Sequence, residues 1–137
     1  MDTTPLIIER TLNAPVTKVW KALTNLEQLA QWFSKLDDFK PEPGFEFTIY
    51  DHYISSCQVI EAIENKKLSY SLSFNEFPAH TIVTFELFDE GDKTGIKLTH
   101  SGIQKIHTAL NTDFGKEQFN QGWNGLLTAL QRFLENA

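Results

Sequence analysis

Few residues in this chain are of a type that does chemistry, and their spacing decides what each can do. The histidines are His52, His80, His100 and His107. His100 lies two positions after Leu98, so on a strand it shares the apolar face. It is then either a polar group at a cavity mouth, able to hold a ligand or exchange a proton, or a strand-end histidine packed on a helix and bonded to a backbone carbonyl. His80 falls on the parity opposite Val83 and Phe85 and is expected in solvent; His52 and His107 read as loop residues. Asp51, His52, Cys57, His100 and His107 are metal-ligand types, yet none recurs at the i+2, i+3 or i+4 intervals that pre-arrange ligands, so no metal is expected. Cys57 is the only cysteine. Its flanks, Ser55, Ser56, Gln58 and Val59, hold no cation that would lower a thiol pKa, and it reads as a small buried hydrophobe. Ser101-Gly102 lacks the rest of a nucleophile elbow. Glu61, if it faces inward with Val59 and Ile63, is a buried acid with a raised pKa; on the other register it faces water. No second inward carboxylate can be placed beside it. Gly91 and Gly95 frame a hairpin and open no helix, so there is no phosphate cradle and no cofactor is expected.

The elements that must position these residues are legible as periodicities. Between Phe45 and Ser101 the pattern has period two, as strands with one apolar face require. Phe45, Phe47 and Ile49 alternate with polar or exposed types. Leu68, Tyr70, Leu72 and Phe74 alternate with Ser69, Ser71 and Ser73. Val83, Phe85 and Leu87 oppose Thr84 and Glu86, with Ile82 and Phe88 as apolar residues on the outer parity. Ile96 and Leu98 oppose Lys97 and Thr99. Ser55 to Glu64 is ambiguous. Pro41–Gly44, Glu64–Lys67, Asn75–Pro78 and Asp89–Asp92 supply turns at hairpin spacing, so neighbours are antiparallel. Leu6–Leu12 adds an N-terminal strand, for about six in all. Asn13-Ala14-Pro15 begins a helix with Pro15 at its first position; Val16, Val19, Trp20 and Leu23 share a face, and Leu26, Leu29 and Ala30 mark a second short helix ending near Trp32-Phe33. Phe119, Trp123, Leu126, Leu127, Leu130, Phe133 and Leu134 recur at helical spacing from near Asp113 to near Asn136. Gly122 and Gly125 inside that helix imply close approach of another backbone.

A chain of 137 residues is the size of a single domain, 1–137. Its 41% hydrophobic and 22% charged content fits a soluble globule rather than a disordered chain. The formal charge of −6 has the wrong sign for nucleic acid, which is not an expected partner. A lone cysteine rules out a disulfide framework. The start, Met1-Asp2-Thr3-Thr4-Pro5, lacks a signal peptide's basic and apolar regions, and no apolar run reaches membrane-span length, so a cytoplasmic location is expected.

These elements define an α+β domain: a curved antiparallel sheet whose one apolar face is covered by the long C-terminal helix, with two short helices after the first strand. Phe45, Phe47, Tyr70, Leu72, Phe74, Val83, Phe85, Ile96, Leu98 and His100 face Phe119, Trp123, Leu126, Leu127 and Leu130. Periodicity leaves two readings open: a packed core, or a cavity lined by these residues with Tyr70 and His100 as its polar anchors.

The motifs resemble a known family. Ile8-Glu9-Arg10-Thr11-Leu12-Asn13-Ala14-Pro15 followed by Val19-Trp20-Lys21-Ala22-Leu23 is similar to the opening of the START/SRPBCC superfamily, closest to the branch related to the activator of the 90-kDa heat-shock-protein ATPase. Leu29–Phe33, His100-Ser101-Gly102, and Gly122-Trp123 with Leu126, Leu127 and Leu130 resemble that branch's later motifs. Where the branch often has a glycine in its third strand, this chain has Cys57. The resemblance implies a helix-grip fold with an interior cavity, and a partner that is a small apolar or amphipathic molecule. It also implies two alternatives, a cofactor-like domain for a chaperone ATPase and a cyclase- or hydratase-type enzyme using His100, Tyr70 or Glu61. The residues favour a binding module over an enzyme.

Overall fold

The computed structural model describes residues 4–50, 54–74, 80–103 and 116–136. In chain order they form β1 (Leu6–Leu12), α1 (Val16–Thr24), α2 (Leu26–Trp32), β2 (Glu46–Tyr50), β3 (Ile54–Ile63), β4 (Lys67–Phe74), β5 (His80–Asp89), β6 (Thr94–Ser101) and a long C-terminal helix, here α3 (Lys116–Asn136). The strands make one six-stranded sheet ordered β1-β6-β5-β4-β3-β2. All neighbours are antiparallel. His52, His107 and Asp113 lie outside the described residues.

The inward parity of each strand is the core. In β4, Leu68, Tyr70 and Leu72 are buried, and in β5 so are Val83, Phe85 and Leu87. The α3 face toward the sheet is Trp123, Leu127, Leu130 and Leu134, all buried, at the i, i+4, i+7, i+11 spacing that keeps a stripe on one side. Side chains fix the helix in place. Arg10, inward on β1, donates to Thr128 Oγ1 at 2.9 Å and to Asn124 Oδ1 at 2.9 Å, and Lys18 Nζ donates to the Leu134 carbonyl at 3.0 Å. The lysine thereby supplies a positive partner to carbonyls left free at a helix C-terminus.

Three local expectations are corrected or, for Glu61, decided between the two registers left open. Pro15 stands at the N-cap of α1, with extended φ −68° and ψ 157°, and its carbonyl accepts the N–H groups of Lys18 and Val19. Glu61 does not face inward. The β3–β4 register shifts between Val59 and Glu61, so Ile60 is the extra residue of a β-bulge and every later side chain changes face. Glu61 therefore points to solvent, where its Oε1 pairs with Lys67 Nζ at 2.8 Å.

The third correction concerns Gly122 and Gly125. A Cβ built at either meets nothing within 4 Å, and both positions are exposed, so no backbone among the described residues packs against them. They are plain helix-interior glycines, which restrict the chain less than alanine does. Gly122→Ala and Gly125→Ala are each expected to raise the unfolding free energy by about 0.5–1 kcal/mol. Urea titration reads this directly, and a loss of stability would show that the open faces are in fact contacted.

Candidate functional site

His100 is completely enclosed. Parity puts it inward from β6, opposite Val83 on β5 and Leu6 on β1. The Trp123 indole donates to its Nδ1 at 3.0 Å, and its Nε2 lies 2.9 Å from Thr81 Oγ1. An indole N–H can only donate, so Nδ1 carries the lone pair and the ring proton sits on Nε2, which donates to the threonine. Thr81 passes its own hydroxyl hydrogen to the Leu72 carbonyl at 2.9 Å. The result is a one-way chain from α3 through β6 and β5 to β4, with every proton placed. Phe119 closes on the imidazole edge to face at 4.8 Å between ring centroids. Desolvation by burial lowers the His100 pKa from 6.5 to about 4, so the ring is neutral at pH 7. Both of its nitrogens are engaged.

Tyr70 is placed differently. It lines an apolar cavity with Leu23 of α1, Leu29 and Trp32 of α2, Phe33, Leu36 and Phe39 of the segment after α2, Phe47 of β2, Leu68 of β4 and Phe85 of β5. The rings interlock edge to face, Phe39 on Phe47 at 5.1 Å and Phe47 on Tyr70 at 5.2 Å. The space left is about 10 Å³, on the scale of one water molecule. The Trp32 indole at its wall is already committed, donating to the Ala22 carbonyl at 2.8 Å. Every fully enclosed side-chain polar atom among the described residues has a hydrogen-bond partner. None among those residues bonds the Tyr70 hydroxyl, so that oxygen borders the open space. Tyr70 itself is only 3% exposed. Burial, with a smaller contribution from Cys57, holds its pKa well above 10, and the group stays an O–H donor.

The sheet and helix residues expected to line one cavity fall in several adjoining places. Phe47, Tyr70 and Phe85 line the cavity just described, which lies between the sheet and the α1–α2 side. Val83, Ile96, Leu98, Leu127 and Leu130 are enclosed under α3, with Leu126 packed partly buried against them. His100, Phe119 and Trp123 cluster at the far end with Phe74, whose ring is 6.0 Å from Phe119; Leu72 joins them through its carbonyl. Phe45 sits at the sheet margin, 6.3 Å from Phe39. The other candidates are accounted for. Cys57 is buried, and burial raises its thiol to about 12, the opposite of an activated nucleophile. His80 is exposed as expected and is bonded through Nδ1 to Ser73 Oγ at 2.7 Å. Thr81 and Arg10 were detectable as polar residues on apolar parity, but their partners on other elements were not. Leu36 and Phe39 carry no periodicity that would have marked them.

A six-stranded antiparallel sheet closed over a long C-terminal helix, with two short helices between its first two strands, is the helix-grip fold of the SRPBCC superfamily. Residues 13–135 match the model of the family described as activator of Hsp90 ATPase homolog 1-like protein, and the chain belongs to that family. Among solved structures it is similar to protein MLL2253 from Mesorhizobium loti, with 25% identity, 97% of this chain and 98% of that one covered, and a TM-score of 0.81. CalU16 from Micromonospora echinospora is 24% identical over 93% of this chain and 74% of that one, at a TM-score of 0.76. The Aha1 dimer from Colwellia psychrerythraea is 22% identical over 96% of each chain, at 0.81. No curated protein matches the chain in sequence. No helix among the described residues is long and apolar enough to cross a membrane.

Proposed function

We propose that this protein is a binding module for a small apolar or amphipathic molecule, held against the inner face of the sheet with the Tyr70 hydroxyl as its polar contact. The observation that carries the reading is that hydroxyl: nearly buried, protonated, unpaired among the described residues and bordering a cavity with otherwise apolar walls. That oxygen is not fully enclosed, since every enclosed side-chain polar atom among the described residues is bonded, and a ligand acceptor would add one hydrogen bond worth about 0.5–1.5 kcal/mol. The ligand is uncharged at the end that meets Tyr70, since among the described residues no ionisable side chain other than the tyrosine lines that cavity. Admission requires the walls to part, because the resting space holds about one water. The segment from Phe33 to Phe45, which forms no helix or strand, supplies the wall best able to move.

Prodan, a neutral naphthalene ketone whose emission shifts to the blue in apolar surroundings, tests this. Binding is expected, with Tyr70→Phe weakening it about two- to tenfold, the worth of one hydrogen bond. The same variant should leave unfolding free energy within about 0.5 kcal/mol of the parent, because no protein contact is lost. Absence of any blue shift in the parent, or equal affinity in Tyr70→Phe, would overturn the assignment.

A second reading, a protein partner of the chaperone-ATPase kind, draws on the family and on the outer face of the sheet. There Ile7, Ile60, Ile63, Ile82 and Phe88 are all exposed, more apolar surface than Ile82 and Phe88 alone would give. An increased steady-state rate of a chaperone ATPase on adding this protein supports that reading; an unchanged rate removes it. The enzymatic alternative needs two converging polar groups, and Tyr70 is the lone uncommitted one in its cavity among the described residues.

A further inference from the structure

The outer face of the sheet is a lattice of side chains with one position empty. The register aligns Thr11, Gly95 and Phe88 in one row and Glu9, Lys97 and Glu86 in the next. A hollow of about 310 Å³ lies beside Gly95, lined by Glu9, Thr11, Phe88, Glu90 and Lys97, while Gly95 itself is buried. Phe88 is 51% exposed, offering a ring as one wall. Glu90 folds back from the β5–β6 turn so far that its Oε2 lies 2.8 Å from where a Cβ at Gly95 would be. Neither Glu9 nor Glu90 has an ion-pair partner among the described residues. Lys97 is in register with both Glu9 and Glu86, so the carboxylates around the hollow outnumber it. Arg10 turns its guanidinium to the other face, onto Asn124 and Thr128. Lys93 lies in the turn, and Lys67 is in register with Glu86 on its other side.

Next to the hollow the sheet ends. β1 is the last strand in the order, and its outer backbone edge has no hydrogen-bond partner among the described residues. Such an edge pairs readily with an extended chain. A strand added there lies about 4.8 Å from β1 and sets its side chains beside Glu9 and Thr11, with Gly95 one strand further in. A long cationic side chain laid across the small Thr11 reaches the hollow, its stem on apolar surface and its charge beside carboxylates and a ring face.

We infer that this corner of the sheet docks an extended polypeptide segment that pairs with β1 and places an arginine or lysine side chain in the Gly95 hollow, against Phe88, Glu9 and Glu90. The net charge of −6 draws such a segment in from solution. The probe is a short capped peptide of alternating valine and arginine, titrated into the isotope-labelled protein and followed by NMR. Shifts are expected in β1 and residues 86–97, with the arginine peptide binding about tenfold tighter than the same peptide carrying citrulline. Gly95→Val puts a side chain where the Glu90 carboxylate now rests and displaces that carboxylate into the hollow. Gly95 does not have the positive φ of Gly91 or Gly102, and the closest obstacle to a side chain there is the flexible end of Glu90, so the variant should fold. It should also bind about tenfold more weakly. Equal affinity for the citrulline peptide, shifts elsewhere, or unchanged binding by Gly95→Val each overturns the inference. Self-association that Gly95→Val abolishes would overturn it too, by showing that a second copy of the chain covers this face.

Discussion

Trp123→Ala is expected to lower the unfolding free energy by about 4–6 kcal/mol, combining the cavity left by a buried tryptophan with the cost of an orphaned acceptor. Trp123 is buried, packs edge to face on Phe85 at 5.9 Å, and gives His100 its Nδ1 partner. Its removal therefore empties the seam between α3 and the sheet and leaves an enclosed imidazole nitrogen without a donor. Against a total stability of about 5–15 kcal/mol for a domain, a loss of that size brings the fold close to failure. Trp123→Phe separates the two contributions. It keeps an aromatic ring in the seam but loses the N–H and the fused part of the indole, and the hydrogen-bond share of its cost is expected to be about 1–3 kcal/mol. Urea unfolding followed by far-ultraviolet circular dichroism reads both. A loss under about 1 kcal/mol for Trp123→Ala would mean that α3 is held mainly by its leucines.

The second large effect is on acid stability. An unfolded chain takes up a proton on His100 below its ordinary 6.5, while the folded chain resists until about 4. Between those values the unfolded state binds more protons, so stability rises with pH across that window. The histidine's contribution is complete above 6.5 and is lost as pH falls toward 4. At about 1.4 kcal/mol for each pH unit of that gap, the loss is about 3 kcal/mol. His100→Gln retains an acceptor for Trp123 and a donor for Thr81 but does not titrate. Its stability should vary less between pH 6.5 and 4 than the parent's by that same amount. Parallel curves for the two proteins would show that His100 titrates normally and that its burial is relieved by local opening.

Much of the fold follows from parity. In β4 the alternation of Leu68, Tyr70 and Leu72 with Ser69, Ser71 and Ser73 holds for direction, although Ser69 and Ser71 on the outer face are also buried. β3 resisted the same treatment for a physical reason. One inserted residue, Ile60, reverses which side chains face inward, so Cys57 and Val59 share a face with Ala62 and not with Glu61. Helical glycines misled in another way, since low propensity at Gly122 and Gly125 suggested a packing need that the open surroundings do not contain. The inward position of His100 was legible two residues from Leu98. Its partners were not, because Trp123 and Thr81 reach it through tertiary pairing 23 and 19 residues away. Tyr70 is the hardest case. What distinguishes it from any core tyrosine is a missing partner, which no spacing of residues encodes.

Asn25 serves both short helices at once. Its backbone N–H closes α1 on the Lys21 carbonyl at 2.8 Å, and its side chain opens α2 by accepting from Gln28 N at 3.0 Å. With Trp32 tied back to Ala22, the two helices form a braced elbow with no slack at the joint. If the proposed ligand enters this cavity, the wall that parts lies downstream of the brace, at Leu36 and Phe39, because Phe33 closes α2 on the Leu29 carbonyl and stacks on Trp123. Leu23 and Leu29 stay still as the back wall. On the proposed function, a guest would meet a doorway that is soft on one jamb and rigid on the other, its size set by how far the unpatterned chain between α2 and β2 lifts.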